Sequence, residues 1–411
     1  MRIQDQVTPE ALTSAVPAKA WRMLALGVSA QAAGTFLISA PAYLIVLLHT
    51  EQGFTLTQGG ILASAPTFGM VLTLVLWGAA ADRYGEREVI ALGSALTAVF
   101  ALAAAFAPNI VWMAILLMLG GAAAASANAA SGRVVVGWFP KHRRGLAMGI
   151  RQMSQPLGVA IAALVVPPVA AHISSGAALL VAAVLTAVLA IASWVGIENP
   201  PRPAASQDRE GLVRPANPYR RDAFLARIHA LSLLLVVPQF TLSIFGLAWL
   251  TIGLGWSAAS AGVVIAASQF IGALGRIVIG HASDRVGSRV RVLRWVAVAG
   301  VAALLALAGA TSLHWSALAA ILFVIATTIS VADNGLAFTS VAEASGPAWS
   351  GRALGIQNTG QFIAASAVGP GIGALITVAG YPLALAAVAI TPLAAIVLIP
   401  RRDQSYGDEG N

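Results

Sequence analysis

Arg276, Asp333 and Arg151 each lie within, or one turn inside, a long apolar stretch. A charge in lipid is costly and marks a functional site by default. Arg276 stands eight residues before Asp284, about 12 Å of helix at ~1.5 Å per residue. A guanidinium at that depth offers a planar fork of donors suited to a carboxylate, phosphate or nitrate. Asp333, ten residues before Glu343, reaches a similar depth and is the one carboxylate expected deep in a span. Burial disfavours an ionised carboxylate, so Asp333 is the candidate proton-coupling group. An equally weighted structural alternative pairs Arg276 with Asp333 between neighbouring helices. Arg151 sits nearer a helix end, where gating beside Lys141 and Arg144 is preferred over an anion contact. Neutral polar residues recur in the same apolar stretches. Gln31, Asn128, Gln239, Gln269, Asn334, Gln357 and Gln361 are the candidates to share substrate binding with Arg276.

No catalytic constellation accompanies them. His49, His172 and His314 fall in turns and His142 in a loop, with no Ser-His-Asp grouping, phosphate-binding loop or metal-ligand spacing. There are no cysteines, which removes disulfides and thiolate metal sites. An enzyme, a metal and a cofactor are not expected. Without an ATP site, any transport is driven by gradients.

The elements that must hold these residues follow from composition. Hydrophobic residues make up 58% of the 411 and charged ones only 10%, against roughly 25% charged in a soluble domain. Mean hydropathy is +0.82. Such a chain belongs in a lipid bilayer, where each spanning helix needs ~20 apolar residues. Stretches of that size run at 20–48, 56–80, 89–107, 110–136, 147–171, 177–197, 224–250, 258–281, 290–310, 316–342, 354–378 and 381–399. The first lacks a cleavage site and reads as a retained helix. An all-α membrane protein of twelve transmembrane helices is expected. Six lie on each side of a Pro- and Arg-rich linker at 198–223, with a segment at 1–19 before them and a tail at 400–411 after.

The net charge of +8 is explained by where the basic residues fall, without invoking nucleic acid. Arg83, Arg87, Lys141, Arg143, Arg144, the linker arginines, Arg285, Arg289, Arg291, Arg294, Arg352, Arg401 and Arg402 all occupy alternate turns. The turns between, at 49–55, 108–109, 172–176, 251–257, 311–315 and 379–380, contain no Lys or Arg. That asymmetry predicts both termini in the cytoplasm of a multi-pass cell-membrane protein.

The two sets of six spans repeat each other. Gly78-Ala-Ala-Ala-Asp82-Arg83-Tyr-Gly85-Glu-Arg87 ends the second stretch, and Gly280-His-Ala-Ser-Asp284-Arg285-Val-Gly287-Ser-Arg289 ends the eighth. Ala147-Met-Gly149-Ile150-Arg151-Gln152 matches Ala353-Leu-Gly355-Ile356-Gln357-Asn358. Asn128 likewise matches Asn334, and Gln31 matches Gln239. A parallel repeat at half the chain length predicts two six-helix bundles around a pseudo-two-fold axis.

The doubled Gly-x-x-x-Asp-Arg-x-Gly-x-Arg loop resembles the signature of the major facilitator superfamily, and the resemblance runs from about Trp21 to Pro400. It implies a central cavity between the bundles and alternating access by rocking. It also implies a gate at the signature loops, formed by Asp82, Arg83, Arg87, Arg133, Arg151, Asp284, Arg285, Arg289 and Glu343. Charges that only mark topology are the plainer alternative. Arg276 followed by Gly280 resembles the arrangement in oxalate and monocarboxylate carriers of that superfamily. The lysine of the oxalate carrier's eleventh helix and the second-helix arginine of nitrate porters are both missing here.

A secondary transporter is expected, with proton-linked transport of a small organic anion as the leading reading and the monomer as its unit. Proton-driven efflux of drugs or hydrophobic compounds is the second reading. A non-transporting sensor ranks third.

Overall fold

Long apolar runs in lipid must satisfy their own backbone hydrogen bonds, and the helix is the open-chain way to do so. The computed structural model describes residues 17–139, 147, 150–199, 217–346 and 349–404, excepting the side chains of Asp82, Arg133, Val136 and Ser350. Lys141, Arg143, Arg144, most of the expected linker and the ends of the chain lie outside the described residues. Among those described there is no strand.

Among the described residues, eleven continuous helices are long and apolar enough to span a bilayer. They are α1 (Ala18–Gln52), α2 (Leu56–Tyr84), α3 (Glu86–Ala105), α4 (Ile110–Trp138), α5 (Ile150–His172), α6 (Ser175–Gly196), α7 (Phe224–Gly253), α8 (Ala258–Val286), α9 (Arg289–Ser312) and α10 (Ser316–Ser345), followed by Gly351–Leu398. That last helix has 48 residues, about 72 Å at ~1.5 Å each, more than twice a ~30 Å hydrocarbon core. It turns at Gly380, whose φ of 76° and ψ of 170° are non-helical. Its two arms, α11 (351–379) and α12 (381–398), therefore make two crossings.

Local sequence sets the helix starts. Asn109, Ser174, Ser257 and Ser288 each accept backbone N–H bonds at the first turn of α4, α6, α8 and α9, and Thr55 with Gln58 forms a capping box on α2. The signature loops turn through Gly85 (φ 106°) and Gly287 (φ 66°), angles that favour a residue without Cβ. Outward faces carry bare apolar side chains such as Val195, Leu274, Ile277 and Val378, as a lipid solvent requires.

The first six helices and the last six meet most tightly at the end free of Lys and Arg. There α2 and α11 touch backbone to backbone. A Cβ on Gly60 would stand 2.1 Å from the Gly369 carbonyl oxygen, and one on Gly369 would stand 2.0 Å from that of Gly60. The Gly369 N–H donates to Ser64 Oγ at 3.1 Å, and the Thr57 and Thr377 hydroxyls are 3.3 Å apart. Gly262 of α8 approaches the Ala163 carbonyl of α5 in the same way. Ala42, Ile45, Leu56 and Ala63 pack there against Ile244, Phe245, Val368 and Ile376.

At the opposite end, where the described chain begins at Pro17 and ends at Gln404, every hydrogen bond and ion pair between described residues stays within one half. Glu198 takes Lys19 and Arg22, and its hydrogen bond from Lys19 holds the carboxyl below the usual range. Asn199 caps the start of α3 by accepting from the Arg87 N–H and donating to Glu88. Asp403 accepts from Ser288 Oγ and the Val290 N–H.

Candidate functional site

Between the halves lies a cavity of about 840 Å³, counting the part open to solvent. Its wall on the first half is made of Gln31, Thr35, Ile38, Thr67, Met70, Asn128, Gln155 and Val159. On the second half it is made of Gln239, Phe240, Ser243, Gln269, Arg276, Thr327, Val331 and Phe362. Both polar and apolar groups line it, and among the described residues Arg276 is its one charged side chain. Of the eight expected substrate-binding residues, Gln31, Asn128, Gln239, Gln269 and Arg276 line this space. Asn334, Gln357 and Gln361 stand behind the wall.

Arg276 on α8 is half-buried, and its Nε donates to the Val331 carbonyl of α10 at 3.1 Å. That bond holds the guanidinium by its Nε edge, and the side chain lines the cavity. Asp333 is two residues further along α10, 2% exposed, with Oδ2 lacking any hydrogen-bond partner. No ion pair joins it to Arg276 among the described residues. Asp333 instead faces a smaller space of about 290 Å³ lined by Leu235, Pro238, Ser330, Leu304 and Pro392. The Val331–Asp333 segment of α10 thus touches the cavity through Val331 and the separate space through Asp333.

The first half keeps its arginine differently. Arg151, at the start of α5, donates from Nε to Ser131 Oγ at 2.8 Å and from NH2 to the Asn128 carbonyl at 2.8 Å and Asn128 Oδ1 at 3.3 Å. Ser131 in turn donates to Gln31 Oε1 at 2.9 Å. Arg151 therefore braces two cavity residues, Asn128 and Gln31, from behind. Ser131, which the sequence did not single out, is the link; its position three residues after Asn128 puts it on the same helix face.

The second half has a matching polar layer without an arginine. Gln361 Nε2 donates to Ser232 Oγ at 2.8 Å and Asn334 Oδ1 at 2.9 Å, and Asn334 Nδ2 donates to Gln239 Oε1 at 2.9 Å. One turn away, Gln357 Oε1 accepts from Nδ1 of His229 in α7. The imidazole Nε2 lies 2.9 Å from the Tyr219 hydroxyl. His229 was missed in the sequence although an ionisable residue inside α7 meets the same criterion that picked out Asp333.

Of the expected gate, the second-half group is described in full. Arg289 bridges Asp284 and Glu343, joining the ends of α8 and α10, while Arg285 is exposed. In the first half, Arg83 stands over the Tyr84 ring and Arg87 over Trp194 at 4.6 Å. The side chains of Asp82 and Arg133 lie outside those described. Among the described residues, no group of three or more His, Asp or Glu is placed to hold a metal.

The sequence model of the Major Facilitator Superfamily matches residues 24–368. An uncharacterized MFS-type transporter of Mycobacterium tuberculosis is 46% identical over 382 residues, covering 93% of this chain and 85% of the relative. The hexuronate transporter of Bacillus subtilis is 28% identical over 127 residues, 31% of this chain and 30% of its own. Among solved structures, a bacterial homologue of the human lysosomal transporter Spinster, crystallised inward-facing and occupied, superposes with a TM-score of 0.77. It is 14% identical, over 92% of this chain and 95% of that one.

Proposed function

The chain belongs to the Major Facilitator Superfamily, a family of membrane transporters and not of enzymes, and from that premise we propose that it moves a small organic anion together with protons by alternating access. The observation that carries the reading is Arg276. Among the described residues it is the one charged side chain of the central cavity, and no carboxylate there forms an ion pair with it. A guanidinium anchored by one edge has donors left for a carboxylate or sulfonate. The hexuronate transporter of Bacillus subtilis, similar over about a third of the chain, carries a cargo of that class by its name.

In this reading the termini and the arginine-rich turns are cytoplasmic, so the close α2–α11 and α5–α8 contacts seal the outer side. The cavity then waits for its cargo from the inside, or has just released it there. Asp333 takes the coupling proton. With its Oδ2 unpartnered, it is stable in that place when protonated. An anion that draws the Arg276 fork into the cavity removes the positive field that favours ionised Asp333, so anion and proton bind together.

Proteoliposomes with an inward proton gradient and radiolabelled D-glucuronate, benzoate or tetraphenylphosphonium test this. Gradient-driven accumulation of a carboxylate, lost in Arg276→Gln, supports the reading. Extrusion of the lipophilic cation with no carboxylate uptake shifts the function to efflux of hydrophobic compounds. The apolar part of the wall, Ile38, Met70, Val159, Phe240 and Phe362, suits that alternative.

A further inference from the structure

The interior of the second half holds a titratable group that neither the cavity nor the Asp333 space uses. His229 is 9% exposed within α7 and is hydrogen-bonded at both ring nitrogens. Gln357 Oε1 only accepts, so Nδ1 carries a hydrogen and Nε2 is the nitrogen that gains or loses a proton. Its partner there, the Tyr219 hydroxyl, both donates and accepts. Neutral His229 accepts from the Tyr219 O–H; the imidazolium donates from Nε2–H to the Tyr219 oxygen. Both bonds survive either state; in the charged one the O–H of half-buried Tyr219 turns away from Nε2 toward solvent, while the Gln357 amide nitrogen lacks a partner in both.

The site has neighbours in two directions. Tyr219 is half-buried in the turn Pro218–Arg220 and packs against Trp349. Inward, Gln357 stands one turn from Gln361 on the same face of α11 with no hydrogen bond between them, and Gln361 bonds Asn334, which bonds Gln239 in the cavity wall.

Neighbouring charges are engaged elsewhere. Arg227 on α7 bonds the Leu398 carbonyl of α12, Arg352 of α11 stands over Trp349, Glu343 of α10 takes Arg289, and Asp333 faces its own space. Arg220, Arg221 and Asp222 follow Tyr219 in the chain, with Asp222 bonded to the Phe224 N–H and Gln404.

We propose that His229 is a proton-binding site of the transport cycle, loaded at Nε2 from water at the Tyr219 end of α7 and coupled to the cavity through the shared Gln357–Gln361 face of α11 and the Gln361–Asn334–Gln239 bonds. The proton forms the Nε2–H bond, the Tyr219 oxygen becomes its acceptor, and the Tyr219 hydrogen turns from Nε2 to that water. The new positive charge sits in the same half as Arg276, so proton and anion each strengthen the binding of the other. This rests on the proton-linked reading above, with His229 added to Asp333.

Two measurements on the full-length protein separate the possibilities. In lipid nanodiscs, 15N-imidazole spectra recorded from about pH 4 to pH 8 and assigned by difference with His229→Gln should show His229 gaining a proton as pH falls, with its midpoint moved by Tyr219→Phe. A His229 signal unchanged across that range overturns the proposal, whatever the cargo. In proteoliposomes with D-glucuronate or benzoate, His229→Gln should lose gradient-driven accumulation at least tenfold while homo-exchange persists. Accumulation equal to wild type by a monodisperse variant overturns it. If wild type accumulates neither carboxylate, the anion reading fails alone, and the spectra still decide whether His229 binds a proton.

Discussion

Among the described side chains, each half sets one arginine against the polar layer around the cavity, and the two are treated in opposite ways. In the first half, Arg151 is held by Ser131, the Asn128 carbonyl and the Asn128 side chain, all from α4. In the second, Arg276 has one bond, to a backbone carbonyl, and opens on the cavity. The repeat makes the contrast informative. The counterpart of Arg151 is Gln357, 206 residues on, and the counterpart of Arg276 is Leu74, 202 residues back. One duplicated frame of Asn128/Asn334 and Gln31/Gln239 thus carries a charge at two non-equivalent points. A guanidinium bonded on several sides braces its neighbours. One anchored on a single edge keeps donors for something that arrives.

That contrast can be broken by experiment. The largest effect is expected at the seal between halves. Gly369→Leu puts a side chain into a contact where even a Cβ meets the Gly60 carbonyl at 2.0 Å, so transport should fall more than a hundredfold while the helices still insert. Because the chain has no cysteine, thiol labelling of a single Ser64→Cys reports the opening directly. Unchanged labelling and transport would show that the close approach is not needed for closure.

Arg151→Leu should follow. It strands the Asn128 and Ser131 acceptors, and losing a buried network of this kind costs about 2–3 kcal/mol. A clear drop in melting temperature without ligand is expected, whereas Arg276→Leu, with one bond to lose, should change it little. Equal destabilisation by both would erase the distinction between bracing and open arginines.

A smaller, selective effect is expected at Ser131→Ala, which frees Gln31 from Arg151. Cargo affinity should fall several-fold with stability nearly kept, and an unchanged affinity would remove Gln31 from the binding wall. The smallest belongs to the loop charges. Arg289 meets Asp284 and Glu343 at a solvent-exposed end, so Arg289→Ala should cost under about 1 kcal/mol of stability. A much larger loss would mean that this cluster holds α8 and α10 together.

Much of this frame was legible before any coordinates. Helix number and the repeated signature loops follow from hydropathy and spacing, since lipid imposes a length on every apolar run. Residue facing was less accessible. The rule that an in-span polar residue matters ranks Gln357 and Gln239 alike, yet a rotation of the helix sets one behind the wall and the other on it. Asp333 and Val331 are two residues apart on α10 and face different spaces, which depends on how α7, α9 and α12 pack. Tyr219 lies at the edge of the linker, where composition suggests only a tether, and its bond to His229 requires the three-dimensional contact. The merger of α11 and α12 through Gly380 is invisible to a hydropathy window that finds two spans either way.

The central claim is that the cavity holds an anion at Arg276 and not at Arg151. Thermal-shift titration of purified wild type, Arg276→Gln and Arg151→Gln with D-glucuronate and benzoate addresses it most directly. A ligand at a hundred times its dissociation constant adds about 2.7 kcal/mol of stability. Carboxylate should stabilise wild type and also the already weakened Arg151→Gln, but not Arg276→Gln. Stabilisation that survives Arg276→Gln and vanishes in Arg151→Gln would place the anion at Arg151 instead.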